Sequence, residues 1–459
     1  MKSRVKNISE FIYTLSFDRL PGEVVDNVKR CVLDAIGNAM GGLNVFEARA
    51  IRSAIMAHDE SPGATIWGIG NKVSVANAAL VNTAAHEGMD FTAAGADASM
   101  QTTIVPAAIA VAEENKTNGE TLITAITAAL ESQWRASMAL DSKGTAFKQK
   151  GFYVTSASGP FGAAAACSKI VNLDENQTTM ALSIGASEGF GPSYCAYMGE
   201  ARGKVLFCGI SGYMGVMAAY MAKNGLTSVL DVMEADGGFL GTISDLSKLD
   251  MTTWKLGEEY LSKYLCYKLY PCCRYIHPYI DAALKIRGKH HVKPENIKKM
   301  TAHYPPEAYS GVIRHDPPTE VMHAQFHLAW TVAAALIDGE VTIDTYTEER
   351  LKDPRIRELS QKLEYIEDPE MEVRVRYTGL PPFAVPGDLT VQIKDGTEYT
   401  EEVEQPSGVA PTAYDDIYKK FERQAEKILS KDRIEQIADA CNSLERLKDI
   451  SDLVMLTVP

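Results

Sequence analysis

The stretch Tyr267–His277 reads YKLYPCCRYIH and gathers Lys268, Arg274 and His277 with Tyr270 and Tyr275 around Pro271. Cations and phenols this close together suit the binding of a carboxylate or phosphate. Pro271 fits a strand-to-helix turn, because its fixed φ matches a first helical turn and it has no N–H to donate. The run that follows, PYIDAALKI, has helical spacing. A helix N-terminus leaves N–H groups unpaired and carries partial positive charge, which favours an anion. The plainer alternative is a surface turn with scattered charges and buried tyrosines. Arg274 suits a bidentate carboxylate clamp, or equally a surface ion pair.

Other groupings point away from common chemistries. Cys266, Cys272, Cys273 and His277 lack the paired spacing of structural zinc sites. His290 and His291 lie in a polar loop, GKHHVKPEN. His323 and His327 are one helical turn apart without the glutamate of an HExxH motif, which predicts packing. The glycines at 186–191 and 209–215 form no GxGxxG after a strand, so no dinucleotide site is expected.

The elements that must position these groups divide the chain in two. Residues 1 to about 265 read as helices. Pro21 opens a run with Val24, Val28, Val32, Ile36 and Met40 on a helical period, closed by Gly41-Gly42. Further helical runs cover 76–86, 105–114, 121–139, 161–171, 177–186 and 212–223. They are rich in Ala, Gly and Ser, which predicts close helix packing. After Lys268 the pattern mixes. Strands are predicted at 300–304 and 371–377, and a hairpin at 389–403 turning on Asp395-Gly396. Helices are predicted at 320–337 and 348–363. The tail, 414–429 and 433–447, is helical again. The expected fold is mostly α: a discontinuous helical domain, 1–266 and 410–459, carrying an α+β lid, 267–409.

At 459 residues, two or three domains are expected. The formal charge of −14 argues against a nucleic-acid partner and leaves room for an anionic small molecule in a local basic pocket. No secretory leader and no apolar run of about 18 residues stands out, so a cytoplasmic protein is expected. The eight cysteines are dispersed and read as reduced thiols.

Several stretches together resemble the MmgE/PrpD family: AAHEGMDF (84–91), VPAAIAVAEENKTNGETLITAITAALE (105–131), SGPFGAAAACSKIVNLDENQTTMALSIGASEGFG (158–191), KVLFCGISGYMGVMAAYMAKNGLT (204–227), YPCCRYIHPYIDA (270–282) and AQFHLAWTVAAALIDGEVTIDTYTEERLKDPRI (324–356). The family includes 2-methylcitrate dehydratases, cis-aconitate decarboxylases and iminodisuccinate epimerases. The resemblance implies a helical domain built from both chain ends with an inserted lid, a homodimer, and a cleft site needing no metal or organic cofactor. It implies chemistry on di- or tricarboxylates by proton removal next to a carboxylate. Asp90 matches the first aspartate of the family's DFDD-like segment. Lys204 matches an active-site lysine, and Lys268 and His277 match basic positions flanking the aromatic-Pro turn.

Two positions depart from the family pattern. Where members carry a His-Pro pair before Pro106, this chain has Ser99-Met100. Where members carry a histidine in a Gly-aromatic-His-Pro-Thr segment, this chain has Tyr153. The expected catalytic set is Asp90, Tyr153 and Lys204, with Lys204 acting as base or cation and Tyr153 as acid, or as base if strongly perturbed. The expected substrate contacts are Lys268, Arg274, His277, Ser99 and Gln101. The leading expectation is a cofactor-independent lyase or isomerase, foremost a 2-methylcitrate dehydratase. The alternatives are an epimerase, a decarboxylase, or a carboxylate binder without catalysis.

Overall fold

The computed structural model describes residues 3–141, 146–198, 203–305, 311–373 and 385–459. The described residues are mostly helical, with a four-stranded mixed sheet and a two-stranded one. Helices α1 (Gly22–Gly42), α2 (Val75–Glu87), α3 (Met100–Glu114), α4 (Gly119–Leu140), α5 (Val154–Ile170), α6 (Glu175–Ser187) and α7 (Gly203–Lys223) pack on one another in the N-terminal half. The predicted apolar stripe of α1 is buried from Val24 to Met40.

Small residues set the helix spacing. A β-carbon on Gly215 of α7 would lie 2.3 Å from that of Ala163 on α5. One on Gly42 would lie 2.0 Å from the carbonyl oxygen of Ala85 on α2. Neither gap is compatible with a side chain, so the Ala- and Gly-rich faces are what let these helices touch.

Helix α7 is long and apolar enough to cross a membrane by length and composition, contrary to the expectation of no such run. Just over half of its apolar window is buried inside the helical bundle, and it carries the buried Lys204 at its start. Its apolar character is that of a core helix.

The C-terminal half holds α8 (His277–His290) and a four-stranded sheet of β1 (Ile297–Tyr304), β2 (Leu363–Glu367), β3 (Gly387–Ile393) and β4 (Glu398–Val403), in the order β2-β1-β3-β4. β1 pairs with β2 in parallel and with β3 antiparallel, and β3–β4 is the predicted hairpin. Helix α9 (Tyr414–Ala425) returns to α1: Phe421 packs on Gly37, and Gln424 donates to Asn38 Oδ1 at 3.1 Å.

Several local expectations change. Pro271 does not open a helix. A 3₁₀ turn, Arg274–Ile276, comes first, and α8 starts at His277 with Pro278 in its first turn. The helix expected at 320–337 is two, Val321–Gln325 and Leu328–Asp338. His327 ends the gap by accepting the Trp330 N–H through Nδ1 at 3.2 Å. The helix expected at 348–363 shrinks to Pro354–Ser360, and Leu363 begins β2. Of the strand expected at 371–377, residues 371–373 belong to a 3₁₀ turn and the rest lies outside the described residues. A two-residue strand pair, Ala64–Thr65 with Lys72–Val73, also appears in the helical half.

Candidate active site

Three chain segments meet beneath a cavity. The first is the end of α2 and the loop after it. Glu87 closes the helix and Asp90 follows with φ +49°, a left-handed conformation that aspartate tolerates better than most residues. The second is the start of α7, which supplies Lys204. The third is the 267–277 stretch, which supplies Lys268.

The lysine ammonium groups and the carboxylates interlock. Lys204 Nζ lies 2.5 Å from Glu87 Oε1 and bonds to Asp90 Oδ1. Lys268 Nζ donates to Asp90 Oδ2 at 2.7 Å and to the Asp90 carbonyl at 2.8 Å. Thr102 Oγ donates to the other Glu87 oxygen at 2.8 Å. All four charged side chains are buried.

The electrostatics fix the charge states of Lys204 and Asp90. Burial works against the Lys204 ammonium, but Asp90 and Glu87 more than offset it and hold its pKa well above the ordinary lysine value. Burial likewise works against the Asp90 carboxylate, yet Lys204 and Lys268 keep its pKa below the usual range. Lys204 is therefore held as a cation. Both Asp90 oxygens are engaged by lysines, so Asp90 anchors the two cations.

Above this floor lies a cavity of about 270 Å³, lined by Asp90, Lys204, Lys268, Tyr153, Ser99 and Arg274, and also by Asp97, Asp141 and Phe326. That volume is near the lower end for small-molecule sites. Phe326 comes from the C-terminal half, and its ring centroid is 5.8 Å from Lys204 Nζ. Tyr153 sits at the N-terminus of α5 with its N–H on Gly191 O at 2.8 Å. Burial pushes its phenol well above the ordinary pKa, although Lys204 pulls it back in part. It is protonated at neutral pH. Ser99 precedes α3, and its N–H donates to Thr155 Oγ at 2.9 Å.

Gln101 and His277 do not line the cavity. Gln101 lies two residues past Ser99, a rotation of roughly 200° around a helix, and faces α1 instead. It donates to Asp34 Oδ2 at 2.5 Å and accepts from Cys31 Sγ at 3.1 Å. His277 turns back on its own loop. Its Nε2 is 3.4 Å from Cys272 O and its ring meets Tyr270 edge-on at 5.1 Å. Burial, and then the charge of Lys268, lower its pKa to about 3, so it is neutral. The cations that precede α8 reach the cavity, while His277, at the helix's first position, does not.

The residues missed from the sequence are Glu87, Asp97 and Asp141. Glu87 stands in a quoted segment, and its only signal was a carboxylate inside an otherwise apolar helix. Among the described residues, no group of three or more His, Cys, Asp or Glu side chains is placed to share a metal ion.

The profile of the MmgE/PrpD N-terminal domain matches residues 6–252, and that of the C-terminal domain matches residues 270–444. The chain belongs to the MmgE/PrpD family. Within it, the chain is 27% identical to a cis-aconitate decarboxylase of Mus musculus, covering 99% of this chain and 93% of that protein. It is 27% identical to a cis-aconitate decarboxylase of Homo sapiens, over 99% and 95%. It is 24% identical to one of Aspergillus terreus, over 98% and 94%. These MmgE/PrpD relatives support a lyase-type enzyme.

Proposed function

We propose that this MmgE/PrpD protein is a lyase that decarboxylates a small unsaturated tricarboxylate of the cis-aconitate type. The observation that carries the reading is a pair of ammonium groups, Lys204 and Lys268, locked by buried carboxylates and facing a cavity beside a protonated phenol, Tyr153. The names of the relatives point the same way.

Substrate carboxylates pair with Lys204, Lys268 and Arg274. Loss of one carboxylate as CO₂ leaves its electron pair to shift through the adjacent double bond towards a remaining carboxylate. The extended enolate that forms lies beside fixed cations, which need no reorganisation to stabilise it. Tyr153 donates its proton to the carbanionic carbon and is reprotonated from solvent. The step needs cations and an acid, and this site offers both.

Dehydration of a 2-methylcitrate-like acid is the second reading. It requires a base as well as an acid, and the cavity-lining carboxylate of Asp97 favours it. Proton NMR of the purified protein with cis-aconitate and with 2-methylcitrate separates the two. Release of CO₂ from cis-aconitate is expected. Loss of water from 2-methylcitrate with no CO₂ from cis-aconitate would replace the first reading with the second.

A further inference from the structure

A two-residue hairpin carries Asp97 into the cavity. Gly95 N–H donates to Ala98 O at 3.0 Å and Ala98 N–H donates to Gly95 O at 2.9 Å, so Ala96 and Asp97 are the central residues. Both have positive φ, +45° and +61°, the pattern of a type I′ turn. Such turns favour Asn-Gly or Asp-Gly, because a β-carbon in the left-handed region costs about 1–2 kcal/mol. Alanine has no polar side chain to offset that cost.

The conformation is imposed by what surrounds it. Ala94 and Cys266 exchange backbone bonds of 2.9 and 3.0 Å at the base of the hairpin, and Met100 N–H donates to Ala93 O at 3.1 Å. Gly95 lies under Trp134, where a β-carbon would come within 2.4 Å of the indole. Strained backbone held by its neighbours gathers at functional sites. Here the result is a carboxylate placed on the cavity wall.

Asp97 differs from the carboxylates of the floor. Its side chain is a quarter exposed, whereas those of Asp90 and Glu87 are sealed against lysines. Its Oδ1 accepts the Tyr275 hydroxyl at 2.9 Å, while Arg274 Nη2 is 3.5 Å away, at the long limit of a bond.

We propose that Asp97 is a catalytic base of this site, held by Tyr275 and exposed when a substrate carboxylate takes over Arg274. The proposal rests on the reading of the cavity as a tricarboxylate site. Asp97 removes a proton from a carbon next to a substrate carboxylate. The C–H bond breaks, the proton passes to Asp97, and the electron pair enters the neighbouring carboxylate as an enediolate beside Lys204 and Lys268. Return of a proton from Asp97, after exchange with water, regenerates the acid. The net change in D₂O is replacement of hydrogen by deuterium.

The test is proton NMR in D₂O with cis-aconitate as the probe, following methylene deuteration and CO₂ release separately. Wild-type protein is expected to deuterate the methylene group. Asp97→Asn, whose side chain also tolerates positive φ, is expected to lose at least about 100-fold of the exchange rate while still binding the acid by calorimetry. Asp97→Gly replaces it if the melting curve shows that the asparagine variant does not fold. Exchange within threefold of wild type in the folded variant overturns the assignment. Wild-type CO₂ release without exchange overturns the role of Asp97 and leaves the tricarboxylate reading standing. Absence of both in the wild type overturns the two together.

Discussion

Two buried lysine–carboxylate clusters flank the same short loop and have opposite fates. On one side of the loop, Lys204 and Lys268 grip Asp90 and Glu87 and face the 270 Å³ cavity. On the other, Lys420 of α9 pairs with Asp34 of α1 at 2.6 Å, donates to Phe91 O at 2.6 Å and lies 4.0 Å from the Phe91 ring centroid. Asp90 and Phe91 are adjacent residues, so one peptide separates the clusters. The first couples its cations to a space where an anion fits. The second commits its charge to joining the tail helix to the first long helix. A buried ion pair is thus no evidence of function by itself. Lys420 also borders a cavity, of about 200 Å³, so the two differ in what faces the lysines: the first cavity adds the phenol of Tyr153, which the lining of the second lacks.

Lys204→Met breaks this contrast most severely. It leaves Glu87 without its cation and removes one of the two holding Asp90, so a stability loss of roughly 3–5 kcal/mol is expected. Turnover of the folded fraction should fall a further 10²–10³-fold, about the effect of losing one oxyanion contact. Chemical denaturation and steady-state kinetics on the same sample separate the two losses. Lys420→Met is the matched control, with a comparable stability loss of roughly 3–5 kcal/mol but turnover within a few-fold of wild type. A collapse of turnover in the folded Lys420 variant would show that the clusters act as one.

Tyr153→Phe touches only the first cluster's cavity. A reduction in turnover of about 10²-fold or more is expected from loss of the acid, with KM and melting temperature nearly unchanged. Equal turnover would remove the phenol from the chemistry.

His86 tests both sides at once. It is fully buried, and burial first, then the charges of Lys420 and Lys204, lower its pKa to about 3. His277 is lowered to about 3 by burial and Lys268. The unfolded chain protonates these histidines below about pH 6.5, whereas the folded chain keeps them neutral down to about 3. Their contribution to stability is therefore complete above pH 6.5 and lost as pH falls towards 3, with a slope near 1.4 kcal/mol per pH unit for each. Urea midpoints between pH 7 and 4 measure the sum, and His86→Gln should flatten the curve.

The smallest effect belongs to an exposed pair. Arg423 reaches Glu340 at 3.0 and 3.1 Å, and Arg423→Ala should cost less than about 1 kcal/mol. A larger loss in the same urea series would make this surface pair part of the Lys420 cluster's clamp.

How much of this was legible in the sequence depended on the range of the forces involved. The stripe Val24–Met40 and the Asp395-Gly396 hairpin follow from local spacing and turn chemistry, and both formed as read. β2 was absorbed into a helix because its parallel partner, β1, lies some sixty residues away and leaves no local mark. In the site, Lys268 and Arg274 stood out as clustered cations in an acidic chain. Asp90 and Lys204 required the family resemblance, since 114 residues separate them. Asp97 gave no signal, because Ala-Asp is not a sequence that asks for a left-handed turn. His277 and Gln101 were misplaced because proximity in sequence does not fix which way a helical side chain faces.

The joint between α9 and α1 also sets an order of events. Lys420 and Phe91 are 329 residues apart. A chain made from its N-terminus exposes Asp34 and the underside of Phe91 long before Lys420 exists. The segment that forms the four-stranded sheet is synthesised before the tail helices that pack back on the N-terminal half. Closing so long a loop adds little to the equilibrium cost, which grows only with the logarithm of length, but contacts of this range slow folding. The Lys420 joint, one peptide away from the cavity floor, is therefore completed late in synthesis.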